Sequence, residues 1–322
     1  MELLDLLTLP FLLVFALATS VDDVRKGKIR NTWIIAALLF ALLALAIQSA
    51  VLLFQGSSVN ERYLLLFAAN GLVALAIASG IWLASVWSAG DTKLFLAYAM
   101  LLPLEWYRRT WTPLPALTLL TNVAVLALAL LTAQAALRIA RRPELFLTAT
   151  RAFPRKQPAL ALFVFGFSWL SSLLLGPFLS SGALALATLA LYLATRSVLR
   201  KHLLHFAAMS SLARLLLDST GLAAAVRMAL PIYLAVAVVS LLMEAAKSAF
   251  VQEVPGANVE EGMIPRDAPV EHRSEGLTAQ EASAFRLAGS LRIAETMPFA
   301  PLMALAALLT ALAGGDLLAL LL

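Results

Sequence analysis

Long apolar runs broken by short polar loops dominate this chain. Runs at 3–21, 32–54, 63–87, 112–137, 158–178, 181–199, 225–246 and 297–322 approach or exceed the length needed to cross a bilayer as a helix, about 20 residues. Two further segments are shorter. Residues 92–104 are apolar but would cover only roughly 20 Å as a helix, and residues 203–217 contain Arg214. An open sheet cannot satisfy its backbone in lipid, so the runs read as helices. The pattern predicts an all-α, polytopic helical membrane protein with about nine or ten transmembrane helices.

Residues 247–296 form the one long polar stretch, punctuated by Pro255-Gly256, Gly262, Pro265, Pro269 and Gly276. Thr278 followed by Glu281 has the offset of a capping box, so a short helix is expected there. The chain therefore divides into a core at 1–137, additional transmembrane helices at 138–246, a small soluble insert at 247–296 and a last transmembrane helix at 297–322. The insert is cytoplasmic if 203–217 spans, and outside if it does not.

Composition strengthens the membrane reading. The chain is 61% hydrophobic and 13% charged, against about half and about a quarter in soluble domains, and its mean hydropathy is +0.89. It has no cysteine, which excludes disulfides, thiolate metal sites and cysteine nucleophiles. His202, His205 and His272 have no carboxylate at ligand spacing, so no metal is expected. The net charge of +5 comes from loops between apolar runs rather than from a nucleic-acid-binding face. Arg25, Lys26, Lys28 and Arg30 follow the first run; Arg138, Arg141, Arg142, Arg151, Arg155 and Lys156 form a second cluster; Arg196, Arg200 and Lys201 form a third. The intervening loops hold only Arg62 and the pair Arg108 and Arg109. With the N-terminus outside, all three clusters fall in the cytoplasm, as the positive-inside rule requires. The N-terminal end of the first run carries Glu2 and Asp5 and no basic residue, and the basic residues come after it, which fits a retained span rather than a cleaved signal.

An ionisable residue among apolar runs is a functional candidate by default. Between Glu61 and Glu105 the only carboxylate is Asp91, and the first run ends at Asp22-Asp23. Two spans separate Asp23 from Asp91, so both fall on the same, cytoplasmic side. Two facing carboxylates hold a single proton between them. One can then activate water while the other protonates a substrate carbonyl, with no metal or cofactor. Gly90 would let a substrate backbone or a neighbouring helix approach Asp91. Placement alone leaves a plainer reading open, an interfacial ion pair with Arg25 or Lys93, and does not choose between Asp22 and Asp23. Asp316 also follows a Gly-Gly pair but reads as a C-terminal interfacial residue, and Glu244 and Lys247 read as a helix-surface pair.

Asp23-Val24-Arg25-Lys26-Gly27-Lys28-Ile29-Arg30-Asn31 resembles the Asp-x-Arg-x-x-x-Ile-x-Asn element after the first span of type IV prepilin peptidases and archaeal preflagellin peptidases. Ser88-Ala89-Gly90-Asp91-Thr92-Lys93-Leu94 is similar to that family's Gly-x-Gly-Asp-x-Lys-Leu element, with Ser88 where the first glycine stands. The resemblance covers roughly residues 5–135. Short stretches at Glu261-Gly262-Met263-Ile264-Pro265, Gly276-Leu277-Thr278 and Pro298-Phe299-Ala300-Pro301 are similar to the C-terminal half of archaeal members. The resemblance implies an intramembrane aspartyl peptidase with Asp23 and Asp91 as the catalytic pair and Gly90, Lys93, Arg25 and Asn31 in support. It implies substrates with a short basic leader before an apolar helix, cut at the cytoplasmic face, and no cofactor. The cysteine-bearing methylation domain of many bacterial relatives has no counterpart, so N-methylation is not expected.

Two other readings compete. Presenilin and signal-peptide-peptidase proteases share Gly-x-Gly-Asp and add Pro-Ala-Leu. Pro115-Ala116-Leu117 and Pro158-Ala159-Leu160 match that tripeptide, but the Tyr-Asp partner motif is missing. A transporter or assembly protein could use Asp91 for ion coupling without cleavage.

Overall fold

A computed structural model describes residues 3–54, 61–83, 87–102, 114–144, 146–147, 150, 153, 157–175, 188, 192, 202–218, 221–246, 251–265, 277–285, 290–294 and 298–315. The expected span at 181–199 lies outside these apart from two positions, and so do Arg108, Arg109, Lys247, Gly276 and Asp316. Helices α1 (Leu3–Lys26), α2 (Asn31–Phe54), α3 (Glu61–Leu83), α4 (Ala89–Leu101), α5 (Pro115–Arg141), α6 (Gln157–Leu175), α7 (Leu203–Leu217), α8 (Leu222–Ala246), α9 (Ala279–Phe285) and α10 (Ala300–Ala313) make up most of the described chain. Four of them, α2, α3, α5 and α8, contain stretches long and apolar enough to cross a membrane. The chain is a helical membrane protein in its broad architecture.

Side-chain size follows the membrane environment. In α2 the buried stripe is Ala37, Ala41 and Ala44, while Leu39, Leu42 and Leu43 are exposed. In α3, Asn70, Ala74 and Ala78 are buried and Leu65, Leu72 and Leu75 are exposed; in α10, Ala304, Ala307 and Ala311 turn inward and Leu305 and Leu312 outward. A soluble protein buries its large apolar side chains. In lipid no such force acts between helices, and small residues at the contacts let backbones approach.

Residues 1–126 and 253–322 form one compact unit, and 127–252 a second. In the first, α4 packs against α3 and α2, and α10 runs along α1 and also touches α4. Phe15 meets Tyr98 edge-on at 5.0 Å, and the Thr19 hydroxyl lies 3.2 Å from the Tyr98 hydroxyl. The buried Asn70 donates to the Ala99 carbonyl at 2.9 Å and accepts the Ala116 amide at 2.9 Å, tying α3 to α4 and to the start of α5. Asn122 donates to Thr310 Oγ1 at 2.8 Å. Each of these buried polar groups is paired, as an apolar surrounding demands.

The polar insert holds the expected short helix and, beyond it, a small sheet. Strands β1 (Val251–Pro255), β2 (Ile264–Pro265) and β3 (Ser290–Ala294) form a sheet in the order β1-β3-β2. β2 and β3 are antiparallel, with Ile264 opposite Ala294 and Pro265 opposite Ile293. Val254, Val259, Leu277, Ala282 and Ile293 make a small core of its own. Thr278 and Glu281 form the reciprocal cap at the head of α9: the Thr278 amide reaches Glu281 Oε2 at 2.8 Å and the Glu281 amide reaches Thr278 Oγ1 at 3.3 Å.

In the second unit α6 packs closely on α7. A side chain at Gly166 would put its Cβ 2.6 Å from the Ser211 nitrogen. Arg214, only 2% exposed, donates to the Phe165 carbonyl at 2.7 Å and to Ser168 Oγ at 3.2 Å, and pairs with Asp218 at 3.2 Å. The charge in this apolar segment is neutralised locally.

Candidate functional site: two aspartates at the ends of three helices

The end of α1 is shaped by its sequence. Gly27 adopts φ +60° and its amide donates to the Asp23 carbonyl at 2.8 Å, which closes the helix in the left-handed conformation that glycine tolerates. Arg25 and Lys26 occupy the last turn, where cations suit the helix dipole.

Asp22 and Asp23 are adjacent but face different surroundings, because successive helix positions are rotated by about 100°. Asp22 is 3% exposed. Its Oδ2 accepts from Arg30 Nε at 2.6 Å and from Trp33 Nε1 at 3.0 Å, and its Oδ1 lies 3.3 Å from Lys26 Nζ. The Arg30 hydrogen bond is the foremost cause holding the Asp22 carboxyl below the usual carboxylate range. Asp22 is thus a latch between α1 and the start of α2. The Asp23 carboxylate instead accepts the backbone N–H of Ala300, at the first position of α10, at 2.8 Å.

Asp91 occupies the first turn of α4 and lies outside the four candidate spans. Ser88 caps this helix. The Asp91 amide donates to Ser88 Oγ at 3.1 Å, while the Ser88 hydroxyl and amide both donate to Asp91 Oδ2, at 2.7 and 3.2 Å. Burial pushes the Asp91 carboxyl above the usual range; the two Ser88 hydrogen bonds oppose this, and the negative charge of Asp23 adds to it. The two aspartates sit on different helices, α1 and α4, and the Asp23 charge is the last of the effects acting on Asp91. Trp87, next to Ser88 in sequence, lies 5.4 Å from Phe95 and 5.5 Å from Phe299 between ring centres, which links the start of α4 to the residue before α10.

The supporting residues differ in their placement. Lys93 Nζ donates to Asn31 Oδ1 at 3.3 Å, which ties the second motif to the first. Arg25 is exposed on α1. Among the described residues a Cβ at Gly90 would meet Ser88 Oγ alone, at 3.5 Å, which is ordinary contact, so no described helix holds this position to glycine. Lys28 pairs with Glu261 of the insert at 3.0 Å, so the loop after Asp23 touches the Glu-Gly-Met-Ile-Pro stretch.

Two features escaped sequence reasoning. The Asp22 latch had no local signature, because Arg30 and Trp33 lie eight and eleven residues on. The Ala300 contact runs from a main-chain amide to the Asp23 side chain across 277 residues. Ser88-x-x-Asp91, by contrast, has the same offset as Thr278-x-x-Glu281 and was readable as a cap. Among the described residues, no group of three or more histidines and carboxylates is arranged to hold a metal. The chain matches no family model, no curated protein and no solved structure.

Proposed function

We propose that this chain is an intramembrane aspartyl endopeptidase that removes the short leader of prepilin- or preflagellin-like proteins at the cytoplasmic membrane face. What supports this reading is the placement of two carboxylates 68 residues apart in sequence at helix ends, Asp23 in the last turns of α1 and Asp91 in the first turn of α4, with the Asp23 charge the last of the effects acting on Asp91. The Asp22 latch supports the choice of Asp23 over its neighbour, since the Asp22 oxygens are engaged by Arg30, Trp33 and Lys26. Two membrane-length helices, α2 and α3, lie between the aspartates, which supports a common face for both. With the N-terminus outside and nine or ten spans, that face is cytoplasmic by the distribution of basic loops.

In the reaction Asp91, whose surroundings favour its protonated form, donates its proton to the scissile carbonyl oxygen. Asp23 takes a proton from water, and the resulting hydroxide adds to the carbonyl carbon. Asp23 then passes that proton to the leaving amide nitrogen as the C–N bond breaks, and Asp91 recovers its own from the collapsing intermediate. A substrate helix would pack among the apolar helices, and its basic leader would lie across the aspartates.

The test is cleavage of a prepilin-like substrate in membranes by wild type, Asp23→Asn and Asp91→Asn. Cutting at the leader–helix junction by wild type alone supports the reading. Cutting within the apolar helix points to the presenilin type. No cutting of a panel of such leaders by wild type overturns the proposal and favours a non-catalytic assembly or ion-coupled role.

A further inference from the structure

We propose that Ser88 is a positioning residue of the carboxylate pair, locking Asp91 through one oxygen so that the other is left for the reaction. The inference rests on the peptidase reading only for its catalytic consequence. The hydroxyl and the amide of Ser88 converge on the same atom, Asp91 Oδ2, and the Asp91 amide returns a bond to the hydroxyl. The Ser88 carbonyl is engaged as well, by the amide of Thr92 at 3.1 Å and its hydroxyl at 2.8 Å. Among the described residues no hydrogen bond reaches Asp91 Oδ1. A carboxylate held by two donors on one oxygen has its rotamer set, and its free oxygen has a defined direction.

This arrangement is a property of the serine. Glycine at position 88 would keep the amide bond and lose the hydroxyl bond. Position 88 is where the resembling motif carries glycine, so this chain adds a constraint on its aspartate that the motif does not encode. The donated bond favours the charged carboxylate and opposes the effects of burial and of Asp23. Few other charges face Asp91. Asp23 approaches from α1, on which Asp22, Arg25 and Lys26 also lie near the end. α2 and α10 contain no charged residue, α3 has its two at positions 61 and 62 at its start, and Lys93 of α4 is bonded to Asn31.

Three variants separate positioning from helix capping. Ser88→Gly keeps most of the capping energy, since glycine is an accepted N-cap, and removes the hydroxyl. Ser88→Thr restores a hydroxyl, and Ser88→Ala removes both cap and bond. The full-length protein in detergent, labelled with carboxyl-¹³C aspartate, has only seven aspartates to resolve, and Asp91→Asn identifies the Asp91 signal. The expected result is a higher titration midpoint for Asp91 in Ser88→Gly, returning to the wild-type position in Ser88→Thr. In the cleavage assay Ser88→Gly lowers kcat about tenfold with KM unchanged, and the basic limb of the pH profile moves up. An Asp91 midpoint that is the same in wild type and Ser88→Gly overturns the proposal. Because the titration needs no turnover, a wild type that cuts nothing would sink the peptidase reading while the spectrum still decides the role of Ser88.

Discussion

The backbone N–H of Ala300 donates to Oδ2 of Asp23 at 2.8 Å, joining the last turn of α1 to the first turn of α10. Its neighbour Asp22 is turned to Arg30 and Trp33 at the start of α2. Both carboxylates bridge helices, Asp22 through the side chains of Arg30 and Trp33 and Asp23 through a main-chain amide that an asparagine side-chain oxygen would also accept.

That difference predicts opposite phenotypes. Asp23→Asn lowers kcat by roughly 10²–10⁴, the range for loss of a general acid or base, with an unchanged melting temperature. Asp22→Asn lowers the melting temperature and leaves kcat per folded molecule within about tenfold of wild type. Cleavage rates normalised to the folded fraction check both.

The latch also has a pH signature. Asp22 titrates below its ordinary value in the folded protein, so the unfolded chain takes up its proton first as the pH falls. The stability contributed by Asp22 is fully present above the unfolded carboxyl's range, near pH 4, and is lost as the pH drops through the depressed folded value. Melting temperatures measured downward from pH 6 should fall less steeply below pH 4 in Asp22→Asn than in wild type.

Gly166 is fixed by space rather than by backbone angle. A methyl there would sit 2.6 Å from the Ser211 nitrogen and 2.7 Å from the Ser210 carbonyl carbon, both backbone atoms that cannot swing aside. Gly166→Ala should destabilise the α6–α7 pair by about 1–3 kcal/mol, read as an earlier midpoint in a denaturing-detergent titration. Gly80, where no described residue lies within 4 Å of the added Cβ, is the control and should accept alanine.

Arg214 and Asp218 form a buried pair. Arg214→Met removes the guanidinium from a carboxylate already out of water and should cost about 3–5 kcal/mol. The double variant Arg214→Met/Asp218→Leu should recover most of that loss, because a buried pair replaced by apolar side chains is often near neutral. The same titration gives the coupling energy.

Much of the helical layout was legible because apolar run length is a direct signal. The run at 32–54 corresponds to α2 and the segment at 203–217 to α7. The insert was less legible, since proline and glycine suggested loop. Yet Ser290-Leu291-Arg292-Ile293-Ala294 alternates in polarity, which is the strand signal, and it forms the central strand of the sheet. At the site, the pattern of charges identified Asp91 but not the atoms that hold it. Which way Asp22 and Asp23 face depends on where α2 begins, and the partner of Asp23 is a main-chain amide that no side-chain motif encodes.

The bond between residues 23 and 300 has a bearing on biosynthesis. A ribosome adding about 5–20 residues per second needs on the order of 14–55 seconds to go from one to the other. Once residue 91 has been added the nascent chain has both aspartates, but until residue 300 follows it has no α10 amide for Asp23 to bind. The site is completed only once translation has passed through the whole second unit and the insert, so an unfinished chain waits in the membrane with its carboxylate pair unassembled.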